Sequence, residues 1–208
     1  MTDRAIIFDV GRVLLHWDVH ELYDPMLGSR EATEAFLTET SLLEWNVRFD
    51  AGLPFEEGIA QLVERHPEHA PALRAFHERW IETVPHAIHG TVDIVMRLKQ
   101  AGVPLYAISN FAADKWQLAK EKYVFLATSF IDVAVSGQEG VVKPEAEIFQ
   151  RLLDRNGLTA DRCIFIDDSA ANIAAASALG FDALHFSTPE ALAMDLQERG
   201  ILVSEDAA

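Results

Sequence analysis

Four short segments, in chain order, place reactive polar side chains directly behind apolar runs. Ala5-Ile6-Ile7-Phe8 runs into Asp9, with Gly11 two residues on, and Leu105-Tyr106-Ala107-Ile108 runs into Ser109 and Asn110. Val133-Ala134-Val135-Ser136 is followed by Lys143-Pro144, and Cys163-Ile164-Phe165-Ile166 by Asp167-Asp168. Each segment alone has a plain structural meaning. An Asp ends a strand, Ser-Asn opens a turn, a lysine sits in solvent and paired acids cap a helix. Together they are the parts needed to attack a phosphoryl group and hold it.

Asp9 is the candidate nucleophile. A carboxylate attacking phosphorus forms an aspartyl-phosphate, which splits a hard hydrolysis into two easier displacements. An anion must then approach an anion, so a divalent cation belongs between them. Mg²⁺ suits the task, because it takes one or two carboxylates, waters and the substrate's own oxygens. Asp168 is the best second metal ligand, and Asp167 supports the site through hydrogen bonds, although adjacent acids can exchange these roles. Asn172, one turn into the next helix, supports the same loop. Lys143 supplies a fixed positive charge that offsets nucleophile and phosphate together, and Ser109 and Asn110 join it in binding the phosphoryl oxygens.

These groups need elements to position them. Ile6, Ile7 and Phe8 suit a parallel strand buried on both faces, whose carboxyl end opens on a crevice. From about Val19 to Val84 the apolar spacing is helical, as in Phe55-Glu-Glu-Gly-Ile-Ala-Gln-Leu-Val, with Asp24-Pro25, Gly52-Leu53-Pro54 and His66-Pro67 as breaks. From Thr91 onward strands and helices alternate, which predicts parallel βαβ units. Helices are expected over 91–101, 113–123, 145–156, 170–179 and 189–199, with strands over 103–108, 131–136, 163–168 and 183–186. Residues 204–208 read as a frayed tail.

The four motifs in this order resemble the haloacid dehalogenase superfamily, most closely its small phosphatases with a helical cap near the N-terminus. They run from Asp9 to Asp168, nearly the whole chain. The resemblance implies an α/β fold: a Rossmann-like parallel-sheet core of residues 1–18 and 85–208, with an inserted all-helical cap domain over 19–84. It also implies that the backbone carbonyl of Gly11 is a third protein ligand of the metal, beside Asp9 and Asp168. Gly140-Val141-Val142-Lys143-Pro144 matches the family's lysine motif.

One position departs from the family's pattern. Its phosphatases commonly carry a second Asp two residues after the nucleophile, as general acid and base, and here that position is Gly11. Such help is typically worth ~10²–10⁴-fold. His16 and Asp18, in the flap leading to the cap, are candidate substitutes by nearness in sequence. They are also candidates for substrate specificity, with Trp45, Asn46 and Arg48 in the segment from Glu44 to Gly52. Ordinary packing and surface roles remain open for all five. His66, His69, His77, His86 and His89 form no convincing metal-ligand set.

Composition narrows the partners. The chain has 208 residues, 33 acids against 17 Lys and Arg, and a formal net charge of −16. That surface disfavours nucleic acid and anionic membranes, whereas a small phosphate ester answers to local donors and a cation. Cys163 is the one cysteine, so no internal disulfide forms, and no apolar run approaches ~18 residues. With no apolar leader behind Met1 to Arg4, a cytoplasmic protein is expected, monomer or homodimer.

Three functions compete. The first is a Mg²⁺-dependent phosphomonoesterase acting on a small phosphorylated metabolite such as a sugar phosphate. The second is a metal-independent 2-haloacid dehalogenase, with Asp9 attacking carbon. That subfamily usually has an aromatic residue at the Gly11 position and a serine- and asparagine-containing last motif, so Asp167-Asp168 favours phosphate. The third is a binding module that has lost turnover, for which Gly11 is the sole support.

Overall fold

The computed structural model describes residues 4–202, so the expected tail at 204–208 and the first three residues lie outside it. Five strands form one parallel sheet: β1 (Ala5–Phe8), β2 (Leu105–Ser109), β3 (Asp132–Val135), β4 (Cys163–Asp167) and β5 (Asp182–His185). Their order is β3-β2-β1-β4-β5, so β1 is central, with Phe8 opposite Ala107 on one side and Ile166 on the other. Because every strand runs the same way, the polar residues that end them gather along one edge of the sheet.

The apolar runs are continuous because both faces of the sheet are covered. On β1, Ile6 and Phe8 join one core and Ile7 the other, following the twofold alternation of side chains along a strand. Helices α6 (His89–Gln100), α7 (Ala113–Lys122) and α12 (Pro189–Glu198) supply Ile94, Trp116 and Leu196 to the first core. Helices α10 (Ala146–Asn156) and α11 (Ala170–Ala178) supply Phe149 and Ala176 to the second. Short helices α8 (Phe125–Thr128) and α9 (Ser136–Glu139) complete the connections. The strand expected to run to Ser136 stops at Val135, because Ser136 already opens α9.

Between β1 and β2 the chain forms a helical insert of α1 (His20–Leu27), α2 (Arg30–Thr40), α3 (Leu42–Asp50), α4 (Phe55–Arg65) and α5 (Ala70–Glu78). Its interior is aromatic. Phe49 stacks on Phe55 at 4.2 Å, and the Tyr23 hydroxyl donates to the carbonyl of Ala72.

Side-chain hydrogen bonds hold the insert against the sheet layer. Ser136 Oγ donates to the carbonyl of Asp50 at 2.5 Å and accepts from the N–H of Phe111, tying α3 to two loops at once. Lys115 Nζ reaches the Nδ1 and carbonyl of His77 at 2.9 and 3.0 Å, and Lys122 Nζ and the Tyr123 hydroxyl both bind the carbonyl of Val84. Gly137 lets the loop after β2 pass, since a Cβ there would lie 2.5 Å from the nitrogen of Ala113. No helix among the described residues is long and apolar enough to cross a membrane.

Candidate active site

The ends of β1 and β4 and the loop before α10 meet in a buried charge cluster. Lys143 Nζ lies 2.7 Å from Asp9 Oδ1 and 2.7 Å from Asp167 Oδ2, with its side chain 1% exposed. Asp9 Oδ1 also accepts from the N–H of Val10 at 2.7 Å, so both bonds fall on one oxygen. Burial pushes the Asp9 carboxyl from an ordinary 3.8 up to about 7, against the pull of Lys143, and the charge of Asp167 adds to the rise. Burial alone would lower the ammonium of Lys143, but the two acids beside it raise it instead. Lys143 therefore stays charged and binds the acids into one unit.

Asp167 is fully enclosed and fully bonded. Its oxygens accept from Lys143, from the N–H of Ser169 at 2.8 Å and from Asn172 Nδ2 at 3.0 Å. That leaves Asp168, half-buried on the cavity side, as the outer acid. Burial raises its pKa, with Asp167 next in effect. Carboxylate oxygens of Asp9, Asp167 and Asp168 all lie within 4.8 Å of one another. Three acids share one ammonium there, and the donors are hard oxygens, a set that fits Mg²⁺ by chemistry and by charge. Asp9, Asp168 and the carbonyl of Gly11 are the atoms that could hold it.

Ser109 and Asn110 divide their work. Ser109 Oγ is buried without a hydrogen-bond partner, and such an orphan is costly unless a ligand completes it. An incoming phosphoryl oxygen would do so. The side chain of Asn110 is already engaged, because Nδ2 donates to the carbonyl of Lys143 at 2.9 Å and Oδ1 accepts from its N–H at 2.7 Å. Asn110 thus clamps the lysine loop in place.

A cavity of about 220 Å³ opens beside this cluster. Gly11, Asn110, Asp168 and Ser169 line it from the sheet edge, and Asn46, Asp50 and Trp80 from the insert. Leu15, Trp17, Val84, Phe111 and Ala112 make its apolar wall, and Arg12 stands at its rim. A Cβ built on Gly11 would meet no atom within 4 Å, so the missing side chain leaves open room. Arg12 holds φ at 59°, in the left-handed region that an L side chain adopts at a cost of order 1–3 kcal/mol.

Of the five residues suggested as proton donors or specificity determinants, only Asn46 borders this cavity. His16 stacks on the His86 ring at 4.8 Å, and Asp18 Oδ1 accepts from the N–H of His20 at the start of α1. Both face a neighbouring cavity that shares Arg12 and Trp17 with the first. Trp45 is buried in the insert against Phe49, and the Arg48 guanidinium carbon lies over its ring at 3.9 Å from the centroid. Asp18 is drawn away by the bare N–H groups of a helix start, and Trp45 by its large apolar area.

Asp50 also lines the cavity, although no sequence motif marks it. It ends α3, its Oδ2 accepts from Asn46 Nδ2 at 3.0 Å, and the N–H of Ala112 donates to the same carboxyl. Burial pushes its pKa from 3.8 up to about 7, against the Ala112 bond, and the charge of Asp9 contributes. Its one local signal is the following Ala51-Gly52, which any helix end also explains.

The raised acids set a pH dependence. Between about pH 4 and 7 the folded protein holds protons on Asp9 and Asp50 that the unfolded chain has released. Stability of the metal-free protein therefore falls as pH rises through that window. Asp132, held low by Asn156 and Arg155, and Asp182, held low by Arg199 and Arg4, both despite partial burial, change charge below it. The thermal midpoint in EDTA should drop by several degrees from pH 5 to pH 7.5, and a rise over that interval would contradict the burial of these acids.

Comparison with known proteins gives a family and a set of relatives. The family model described as haloacid dehalogenase-like hydrolase matches residues 4–180. A sesquiterpene phosphatase of Aspergillus oryzae is 25% identical over 198 residues, covering 95% of this chain and 96% of that protein. A HAD-like family hydrolase from Porphyromonas gingivalis superposes with a TM-score of 0.72 at 21% identity, covering 96% of this chain and 98% of the other. A HAD family enzyme from Bacteroides thetaiotaomicron, solved with magnesium and inorganic phosphate, gives a TM-score of 0.68 at 19% identity, over 89% and 94% of the two chains. The two structural likenesses speak to the fold.

Proposed function

The chain belongs to the haloacid dehalogenase-like hydrolases, and we propose that within that family it is a Mg²⁺-dependent phosphomonoesterase of small metabolites. The observation that carries this reading is the acid cluster around Lys143, with Asp9, Asp167 and Asp168 within 4.8 Å of one another. Attack on carbon needs no such gathering of charge, whereas attack on a phosphate dianion needs a cation beside the nucleophile. The sesquiterpene phosphatase relative, similar along nearly its whole length, supports the same choice.

Asp9 attacks through Oδ2, since Oδ1 is held by Lys143 and Val10. The P–O bond to the leaving group breaks as the aspartyl-phosphate forms, and water then hydrolyses it. Ser109 Oγ donates to a phosphoryl oxygen, and Lys143 offsets the charge gathered there. Asp167 and Asn172 keep Lys143 and the β4 loop in register. Mg²⁺, held by Asp9, Asp168 and the carbonyl of Gly11, would screen nucleophile from phosphate when bound. The helical insert acts as a cap. Its aromatic wall supports a leaving group with an apolar face, which a sugar ring offers through its C–H bonds and a terpenoid over its whole length.

Hydrolysis of p-nitrophenyl phosphate tests the reading. Release is expected with Mg²⁺, and EDTA should reduce it to background until Mg²⁺ is restored. No release with any divalent metal, together with chloride release from 2-chloropropionate, would reassign the protein as a dehalogenase.

A further inference from the structure

Resting on the phosphatase reading, we infer that Asp50, reaching into the site from the insert, is the catalytic acid that protonates the leaving oxygen and afterwards the base that deprotonates the attacking water. With glycine at the position where the family's phosphatases commonly carry that acid, this chain needs a proton source elsewhere in the cavity. Among the described residues, two carboxyl side chains and no imidazole line the cavity: Asp50 and Asp168. Asp168 belongs to the acid cluster at the sheet edge, on the side of the phosphoryl group. Asp50 comes from the opposite side, where a leaving group pointing away from Asp9 must lie.

Its surroundings suit the task. Asn46 Nδ2 and the N–H of Ala112 fix the carboxyl from two elements, and the Asp50 carbonyl is anchored by Ser136 Oγ. The residue closes α3, and the negative end of a helix dipole favours the protonated acid. Burial has the same effect, raising the carboxyl to about 7. A Cβ on Gly11 would meet no atom within 4 Å, so that position adds no side chain to the cavity that Asp50 and Asp168 line.

The steps balance. In the first, Asp9 Oδ2 bonds to phosphorus, the bond from phosphorus to the leaving oxygen breaks, and the Asp50 proton passes to that oxygen. In the second, water bonds to phosphorus, the bond to Asp9 breaks with its electron pair returning to the carboxylate, and the water proton passes to Asp50. The acid ends as it began.

Leaving-group chemistry separates this role from a structural one. Nitrophenolate departs without a proton and an alkoxide does not. The test compares single-turnover cleavage of p-nitrophenyl phosphate and butyl phosphate by the wild-type protein and by Asp50→Asn. Loss of general-acid help is worth ~10²–10⁴-fold, so butyl phosphate should be slowed at least ~100-fold more than the aryl ester. Both esters are read on one preparation, so their ratio is insensitive to the folded fraction. Equal slowing of the two would overturn the assignment of Asp50 while leaving the phosphatase reading intact. A wild-type protein that cleaves neither ester would sink both.

Discussion

Asp9→Asn should lower turnover of p-nitrophenyl phosphate by about 10⁴-fold or more, the scale of loss when a covalent nucleophile is removed. The amide keeps the size of the carboxyl and can still accept from Lys143 and the N–H of Val10 through its oxygen. Lys143 also retains Asp167, so no buried charge is stranded. Folding should therefore survive, and the variant should have a thermal midpoint near that of the parent. Labelling checks the covalent step directly. A rapidly quenched parent enzyme should carry one phosphoryl group per chain, and the variant none. A variant that retains more than a hundredth of parental turnover would show that Asp9 is not the nucleophile.

Lys143→Met is the second large effect, and it combines activity with stability. The methionine fills the space of the lysine stem but leaves Asp9 and Asp167 facing each other without a counter-charge. Breaking a buried ion pair by removing one partner costs about 3–5 kcal/mol. Much of that cost should depend on pH. Asp9, already raised by burial, would rise further without the ammonium, so the folded variant binds more protons than the unfolded chain over a wider range. Its stability should be near that of the parent at pH 5 and well below it at pH 8. Turnover should fall about 10²–10³-fold, the usual consequence of losing one preorganised charge at a transition state. Thermal melts at the two pH values and steady-state rates check both claims. An equal midpoint shift at both pH values would mean that the lysine acts through packing.

Much of this was legible from the sequence because the local rules and the fold agree. Apolar runs such as Ile6-Ile7-Phe8 and Ile164-Phe165-Ile166 can be buried only in a doubly covered sheet, and a parallel sheet brings their polar ends to one edge. Topology brings Asp9, Asp167 and Asp168 to that edge, and Lys143 joins them from the loop before α10. What the sequence hides depends on three-dimensional approach. Asp50 reaches the site from a helix end 41 positions after Asp9, and nothing within the chain's local pattern distinguishes it from Asp18, which merely starts a helix. Trp17, Trp80 and Phe111 line the cavity, and no spacing rule separates such aromatics from core residues. Asn110 reads as a phosphate donor, yet the structure commits its side chain to the lysine loop, a pairing across 33 positions that no spacing rule foretells.

The position of β1 in the sheet has a consequence for biosynthesis. The strand that carries Asp9 is made before either of its neighbours, for β2 begins at Leu105 and β4 at Cys163. Central strands with distant partners must wait for them, and long-range pairing is slow. Lys143 emerges before Asp167, so the two acids that share it meet only after β4 has been made. A nascent fragment accordingly carries an exposed strand edge but no assembled hydrolytic centre. Any chaperone contact that shields this chain during translation should therefore concentrate on β1 and end once β4 is released.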